Sequence, residues 1–141
     1  MAPIWTKEIS IEILTKTHID TAVATLGIEF LEIGDDFIRG RVPVRKGTVQ
    51  PFGILHGGVS VVLAETLGSC GAHYSAAEGR RAVGLDINAN HLRPTSSGWV
   101  TGIARPVHRG RTTQVWQTSI RNAYGKLCAV VTQTQLVMTA G

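Results

Sequence analysis

The sequence predicts an α+β protein in which an antiparallel sheet of five or six strands wraps one long helix, and three observations carry that prediction. Gly57 to Tyr74 reads as an apolar helix, with Val59, Val62, Leu63, Thr66 and Leu67 on one stripe at the 3.6-residue repeat. Four strand-like runs follow it and two precede it. The links after the helix are short, and short links join antiparallel neighbours, because a parallel pair needs a crossover of about a dozen residues or more.

In chain order, Ser10 to Thr25 is weakly helical. Ile28 to Ile33 and Phe37 to Val44 are strand-like and separated by Gly34-Asp35-Asp36, the spacing of a hairpin. The central helix carries small residues, Gly58, Ala64, Gly68, Gly71 and Ala72, that let another layer approach closely. After the break at Ala77-Glu78-Gly79, Val83 to His91 alternates apolar odd positions with polar even ones and predicts a half-buried strand. Pro94 to Gly98 turns the chain into Trp99 to Val107, the His108-Arg109-Gly110-Arg111 turn leads to Thr113 to Arg121, and Asn122 to Gly125 leads to Leu127 to Val137.

A length of 141 residues with 43% hydrophobic content fits one domain over residues 1–141. Met1 to Glu12 lacks the pattern of a secretory signal, and no run approaches the roughly 20 apolar residues that span a bilayer, so the expectation is a cytoplasmic protein without a membrane segment. Cys70 and Cys128 have neither metal-ligand nor C-x-x-C spacing; buried thiols are expected, with no metal site and no structural disulfide. The net charge is +4, and every Asp and Glu falls at or before Asp86. From Ile87 onward the charges are Arg93, Arg105, Arg109, Arg111, Arg121 and Lys126, a candidate surface for a polyanion or a phosphorylated ligand. A nucleic acid is disfavoured, since neither a recognisable module nor aromatic platforms accompany the basic residues.

One helix covers little of so long a sheet, which makes self-association the economical solution. Trp99, Trp116 and the odd-numbered face of the last strand are candidates for burial between chains, or for ordinary core.

The chemistry centres on Glu65. A carboxylate taken out of water costs several kcal/mol unless it is paired, hydrogen-bonded or raised in pKa, so a Glu on an apolar helix needs a reason to be there. An inter-subunit ion pair with Arg93 would be a structural reason. Gly57 and Gly58 open the helix, so free N–H groups and the positive end of the helix dipole point outward with no Cβ in the way. A thioester or ester carbonyl against Gly57 N–H would be polarised, an effect of about 3 to 4 kcal/mol per donor. Glu65 lies about 12 Å further along the axis, too far to serve that carbonyl within one helix. Two antiparallel copies would bring Glu65 of one subunit to His56 and Gly57 of the other, giving two equivalent sites. Ser69, one turn beyond Glu65, can hydrogen-bond the carboxylate or a water, or is a small packing residue; His56 is a site residue or merely bonds nearby backbone.

Taken together, Gln50-Pro51-Phe52-Gly53-Ile54-Leu55-His56-Gly57-Gly58, Ala64-Glu65-Thr66-Leu67-Gly68-Ser69 and Gly84-Leu85-Asp86-Ile87-Asn88-Ala89-Asn90-His91 resemble the hotdog-fold acyl-CoA thioesterases. The resemblance covers nearly all the chain and is closest to the aryl-CoA branch, with its hydroxybenzoyl-CoA, dihydroxynaphthoyl-CoA and enterobactin proofreading enzymes. It implies Glu65 as nucleophile or general base, with Gln50, His56 and Gly57 of the facing subunit orienting and polarising the carbonyl and Ser69 assisting. It also implies a homotetramer built as a dimer of dimers, and no cofactor beyond the coenzyme A that belongs to the substrate. The pantetheine arm would run near His91-Leu92-Arg93, and its phosphates would meet Arg93 or the His108, Arg109, Gly110 and Arg111 turn, Arg being suited to bidentate phosphate contacts. Phe52, Leu55, Val59 and helix residues near Ser69 and His73 would bound the acyl group.

Two rivals remain at this level. Asp86 to His91 is similar to the D-x-N-P-x-H motif of hotdog enoyl-CoA hydratases, but Ala89 stands where proline would be and the segment follows the helix rather than preceding it. A non-catalytic acyl-CoA-binding module would use the same fold, and Glu65 argues against it.

Overall fold

A computed structural model describes residues 1–139. Ser10 accepts a hydrogen bond from Ile13 N–H and caps α1 (Ile11–Thr17), while α2 (Ala22–Thr25) follows after a break. The weakly helical opening is therefore two short helices. Asp20, at φ 60, takes the left-handed conformation between them, and Thr21 ties the turn by donating to His18 O at 2.6 Å.

β1 (Glu29–Ile33) and β2 (Ile38–Pro43) form the expected hairpin, and α3 (Gly57–Ser75) is the expected long helix. β3 (Arg80–His91), β4 (Trp99–Arg109), β5 (Thr113–Asn122) and β6 (Leu127–Thr139) complete a six-stranded sheet, every pair antiparallel, in the order β1-β2-β4-β5-β6-β3. α3 packs on β2, β3, β4, β5 and β6, so the sheet wraps it. This is the hotdog arrangement that the resemblance implied.

Two expectations change. The link between β3 and β4 is short, yet it does not join neighbours: β3 pairs with β6 at the sheet edge, and β4 lies between β2 and β5. The link can cross the strand ends because backbone groups hold it there. Leu92 and Arg93 N–H donate to Cys128 O at 2.7 and 3.2 Å, and Leu55 N–H donates to Thr95 O at 2.8 Å. It thereby passes in front of the α3 N-terminus. The second change is the facing of β3. Gly84 pairs with Gln135 and Asp86 with Thr134, so Leu85 is an extra residue at a bulge and the side-chain alternation changes parity there. Ala82, Ile87 and Ala89 pack on the core, whereas Val83 and Leu85 are 38% and 58% exposed.

Trp116 is wholly buried within its own chain, and so are most odd positions of β6, which settles those candidates as core. The small residues of α3 serve the same layer. A Cβ on Gly71 would lie 2.5 Å from the Trp116 ring, and one on Gly68 would lie 2.2 Å from Gln133. Trp116 also donates from Nε1 to Gln114 Oε1 at 2.7 Å and stacks on Trp5 at 6.5 Å. Replacing it by Ala leaves a cavity that a glycine-lined helix cannot fill, and should cost about 3–5 kcal/mol in urea unfolding. A loss under about 1 kcal/mol would show that the helix collapses into the space. Among the described residues, no helix is long and apolar enough to cross a membrane.

Candidate active site

The start of α3 is shaped by His56. Its extended backbone, φ −64 and ψ 130, makes it the N-cap, and its Nδ1 accepts from Gly58 N–H at 2.8 Å. The backbone-bonding role weighed for His56 is thus observed, and it has a consequence: Gly58 N–H is occupied. Gly57 N–H donates to no described residue. It lines a cavity of about 450 Å³ together with Gln50, Leu55, Ser60, His91 and Arg93. A Cβ at Gly57 would stand 3.0 Å from His91 Nε2, so the absent side chain lets the imidazole come close. Gln50 is held in a tight turn, donating its N–H to Ile54 O and accepting from Gly53 N–H, both at 2.9 Å, with Gly53 at φ 81. Its Oε1 accepts from Phe52 N–H, which leaves the amide NH₂ as a donor.

Glu65 occupies a different place. Leu63, Ala64, Leu67 and Gly68 form the buried face of α3, and Glu65 falls outside it, exposed on the protomer. Its expected burial is therefore corrected. The carboxylate reaches toward β3, where Oε2 lies 2.8 Å from the position a Gly84 Cβ would take, so a side chain at 84 would displace it. It lines a second cavity, of about 500 Å³, with His18, Ser69, Cys70, His73 and Tyr74. Arg93 belongs to the first cavity and forms no ion pair with Glu65 within the protomer.

Two supports were not anticipated. Gln133 Nε2 donates to Glu65 O at 3.3 Å, and Gln135 Nε2 donates to Ser69 Oγ at 3.1 Å. Because the amide is the donor, the Ser69 hydroxyl hydrogen points elsewhere, toward the cavity or the carboxylate. Both glutamines are buried on the inward face of β6 between Val131 and Val137. Polar residues on an otherwise apolar strand face were the available signal.

Burial tunes the other groups of this cavity. It pushes the Cys70 thiol up to about 12. At pH 8 roughly one thiol in 10⁴ would be ionised, so iodoacetamide should leave Cys70 unmodified until the protein is denatured. Rapid labelling of the folded chain at Cys70 would contradict this. Desolvation, then the nearby Lys7 ammonium, lowers His73 and favours its neutral form; desolvation first raises Tyr74.

The remaining expected contacts divide. The turn at His108, Arg109, Gly110 and Arg111 lies beside the start of β3, where Arg80 Nη1 donates to Arg111 O at 3.4 Å. Arg93 follows the other end of that strand, about 35 Å away at the usual rise per residue. The protomer does not bring them together. Phe52 is 89% exposed and Val59 is core, and neither lines the Gly57 cavity or the Glu65 cavity of the protomer. Among the described residues, no three His, Cys, Asp or Glu gather as metal ligands.

Residues 52–129 match the thioesterase superfamily. The chain is 47% identical over 126 residues to the 1,4-dihydroxy-2-naphthoyl-CoA hydrolase of Escherichia coli, an alignment covering 89% of this chain and 92% of that protein. It is 41% identical over 135 residues to the proofreading thioesterase EntH of Cronobacter turicensis, covering 96% and 98%. A crystal structure of a thioesterase from Haemophilus influenzae superposes with a TM-score of 0.94 at 49% identity, over 96% of this chain and 95% of that one.

Proposed function

The chain belongs to the thioesterase superfamily and is a thioester hydrolase, and from that premise we propose that it cleaves an aromatic or medium-to-long acyl-CoA, or the same acyl group on a carrier protein, at a site shared by two subunits. The thioester carbonyl accepts a hydrogen bond from Gly57 N–H of one subunit, with Gln50, His56 and His91 around it. Glu65 of the other subunit either takes a proton from the attacking water or attacks the carbonyl itself. In the first case a water C–O bond forms, the C–S bond breaks, and the thiol leaves with the proton that Glu65 took. In the second the C–S bond breaks to give a mixed anhydride on Glu65, the thiolate takes a proton from solvent, and a water then cleaves the anhydride to free acid and Glu65. Ser69, aimed by Gln135, holds the water or the carboxylate.

The observation that carries this reading is the division of the groups. Among the described residues the Gly57 N–H has no partner and sits over one cavity while the exposed carboxylate lies in another, two helical turns apart, which supports each protomer contributing to two different sites. The open β3 edge, with Val83 and Leu85 exposed, supports pairing between copies, and the dimer of dimers that the resemblance implies would use two such pairings. Arg93 is the cation nearest the carbonyl cavity and the first candidate for the pantetheine phosphates; the 108–111 turn could contribute only from another subunit. The name of one relative, the 1,4-dihydroxy-2-naphthoyl-CoA hydrolase, favours an aryl acyl group. Thiol release from benzoyl-CoA and from an aliphatic acyl-CoA tests the reading, and faster release from benzoyl-CoA is expected. No release from either, in a protein shown to be folded, would count against it.

A further inference from the structure

His18 stands between two cavities. It is common to the Glu65 cavity and to a second one of about 430 Å³ that opens behind it between the α1–α2 segment and β1. That second cavity is walled mainly by Ile19, Val23, Ile28, Phe30 and Leu31. The two differ in chemistry: Glu65, Ser69 and His73 line the near one, whereas aliphatic and aromatic carbon dominates the far one.

The imidazole between them is fixed from three elements. Its Nδ1 bonds Leu14 O at 2.7 Å within α1, and since a carbonyl only accepts, Nδ1 carries the proton. The ring packs on Phe30 of β1 at 5.1 Å between centroids, and Nε2 approaches Cys70 Sγ of α3 at 4.0 Å. Cys70 is buried and its thiol stays protonated, so the pair does not form a nucleophilic dyad. The ring's position suits a wall.

We infer that His18 is a specificity-determining residue that ends the acyl cavity, and that the apolar cleft behind it is a closed-off extension able to take the distal part of a linear acyl chain. This rests on the thioesterase reading in placing the acyl group beside Glu65. A ring-sized acyl group stops at the imidazole. A long alkyl chain would have to displace it, giving up the Leu14 bond and the Phe30 contact.

The experiment is binding of CoA thioethers, which Glu65 chemistry cannot cleave: S-benzyl-CoA and a series from S-ethyl- to S-dodecyl-CoA, measured by calorimetry. With the unmodified protein, affinity should climb with chain length and then flatten where the chain meets His18. With His18→Ala it should keep climbing, so that S-dodecyl-CoA gains at least about tenfold over S-benzyl-CoA, the worth of about two methylenes moved from water into an apolar site. His18→Phe, which keeps a ring against Phe30, should retain the flat profile. Affinity that still rises through twelve carbons in the unmodified protein would overturn the wall without any variant. So would a flat profile in a folded His18→Ala protein, or no binding by any thioether. Thiol release from benzoyl-CoA in parallel keeps the two readings apart. Thioether binding with the expected profile but no thiol release would overturn hydrolysis and support the wall, whereas thiol release with an unchanged profile in His18→Ala would overturn the wall alone.

Discussion

Replacing Glu65 by Ala should lower kcat by at least about two decades while KM changes little, because general-base work alone is worth roughly 10²–10⁴ and nucleophilic participation would add to it. The structure sharpens this expectation. Glu65 is the only carboxylate among the residues of its own subunit that line its cavity, so no carboxylate beside it in that subunit can take over. It is exposed and outside the buried face of α3, so its removal should shift stability by no more than about 0.5 kcal/mol, and a loss of activity could not be blamed on unfolding. Glu65→Gln, nearly the same shape against Gly84, should lose as much. Undiminished turnover in either variant would remove Glu65 from the mechanism. Oxygen-18 water in a single turnover then separates the two roles: label entering Glu65 marks a nucleophile, and label entering only the product acid marks a general base.

The second large effect concerns the shared site. Gly57→Pro removes the free N–H at the first helical position, where proline is tolerated, and the extended backbone of His56 is what the residue before a proline prefers. The new ring would press on the outer end of the His91 side chain, which can move. Loss of one oxyanion donor should lower kcat by about 10²–10³. Glu65→Ala and Gly57→Pro homo-oligomers are then both nearly inactive. Unfolding and refolding an equal mixture should restore about a quarter of the unmodified activity, since half the dimers are mixed and each holds one intact site of two. If Glu65 and Gly57 of the same chain served one site, mixing would restore nothing.

Local features were legible because their causes are local. The α3 start was marked by glycines and an apolar repeat, and its end fell within a residue of expectation. The β4, β5 and β6 starts coincided with turn residues that leave few alternatives. The opening helix was less legible, since its break depends on a left-handed Asp20, a conformation that many sequences could adopt or avoid. The bulge at Leu85 was invisible because it exists only in the register between β3 and β6, and with it went the facing of Val83 and Leu85.

The residues of the candidate site could be named in advance, Gln50, His56, Gly57, Glu65, Ser69, His91 and Arg93 among them, because a short motif and a helix repeat carry them. What those residues meet is a matter of pairing across the chain. The order β1-β2-β4-β5-β6-β3 sends Arg93 to one end of the sheet and the 108–111 turn to the other. It places Gln133 and Gln135 beneath Glu65 and Ser69, and it sets His18, distant in sequence, beside Cys70. Sequence alone determined the elements, the family resemblance and the chemistry available on each segment, since propensity, capping and turn geometry act over a few residues. Only the tertiary structure decided which groups share a cavity and which face solvent, since those outcomes follow from contacts between residues tens of positions apart that no local pattern encodes.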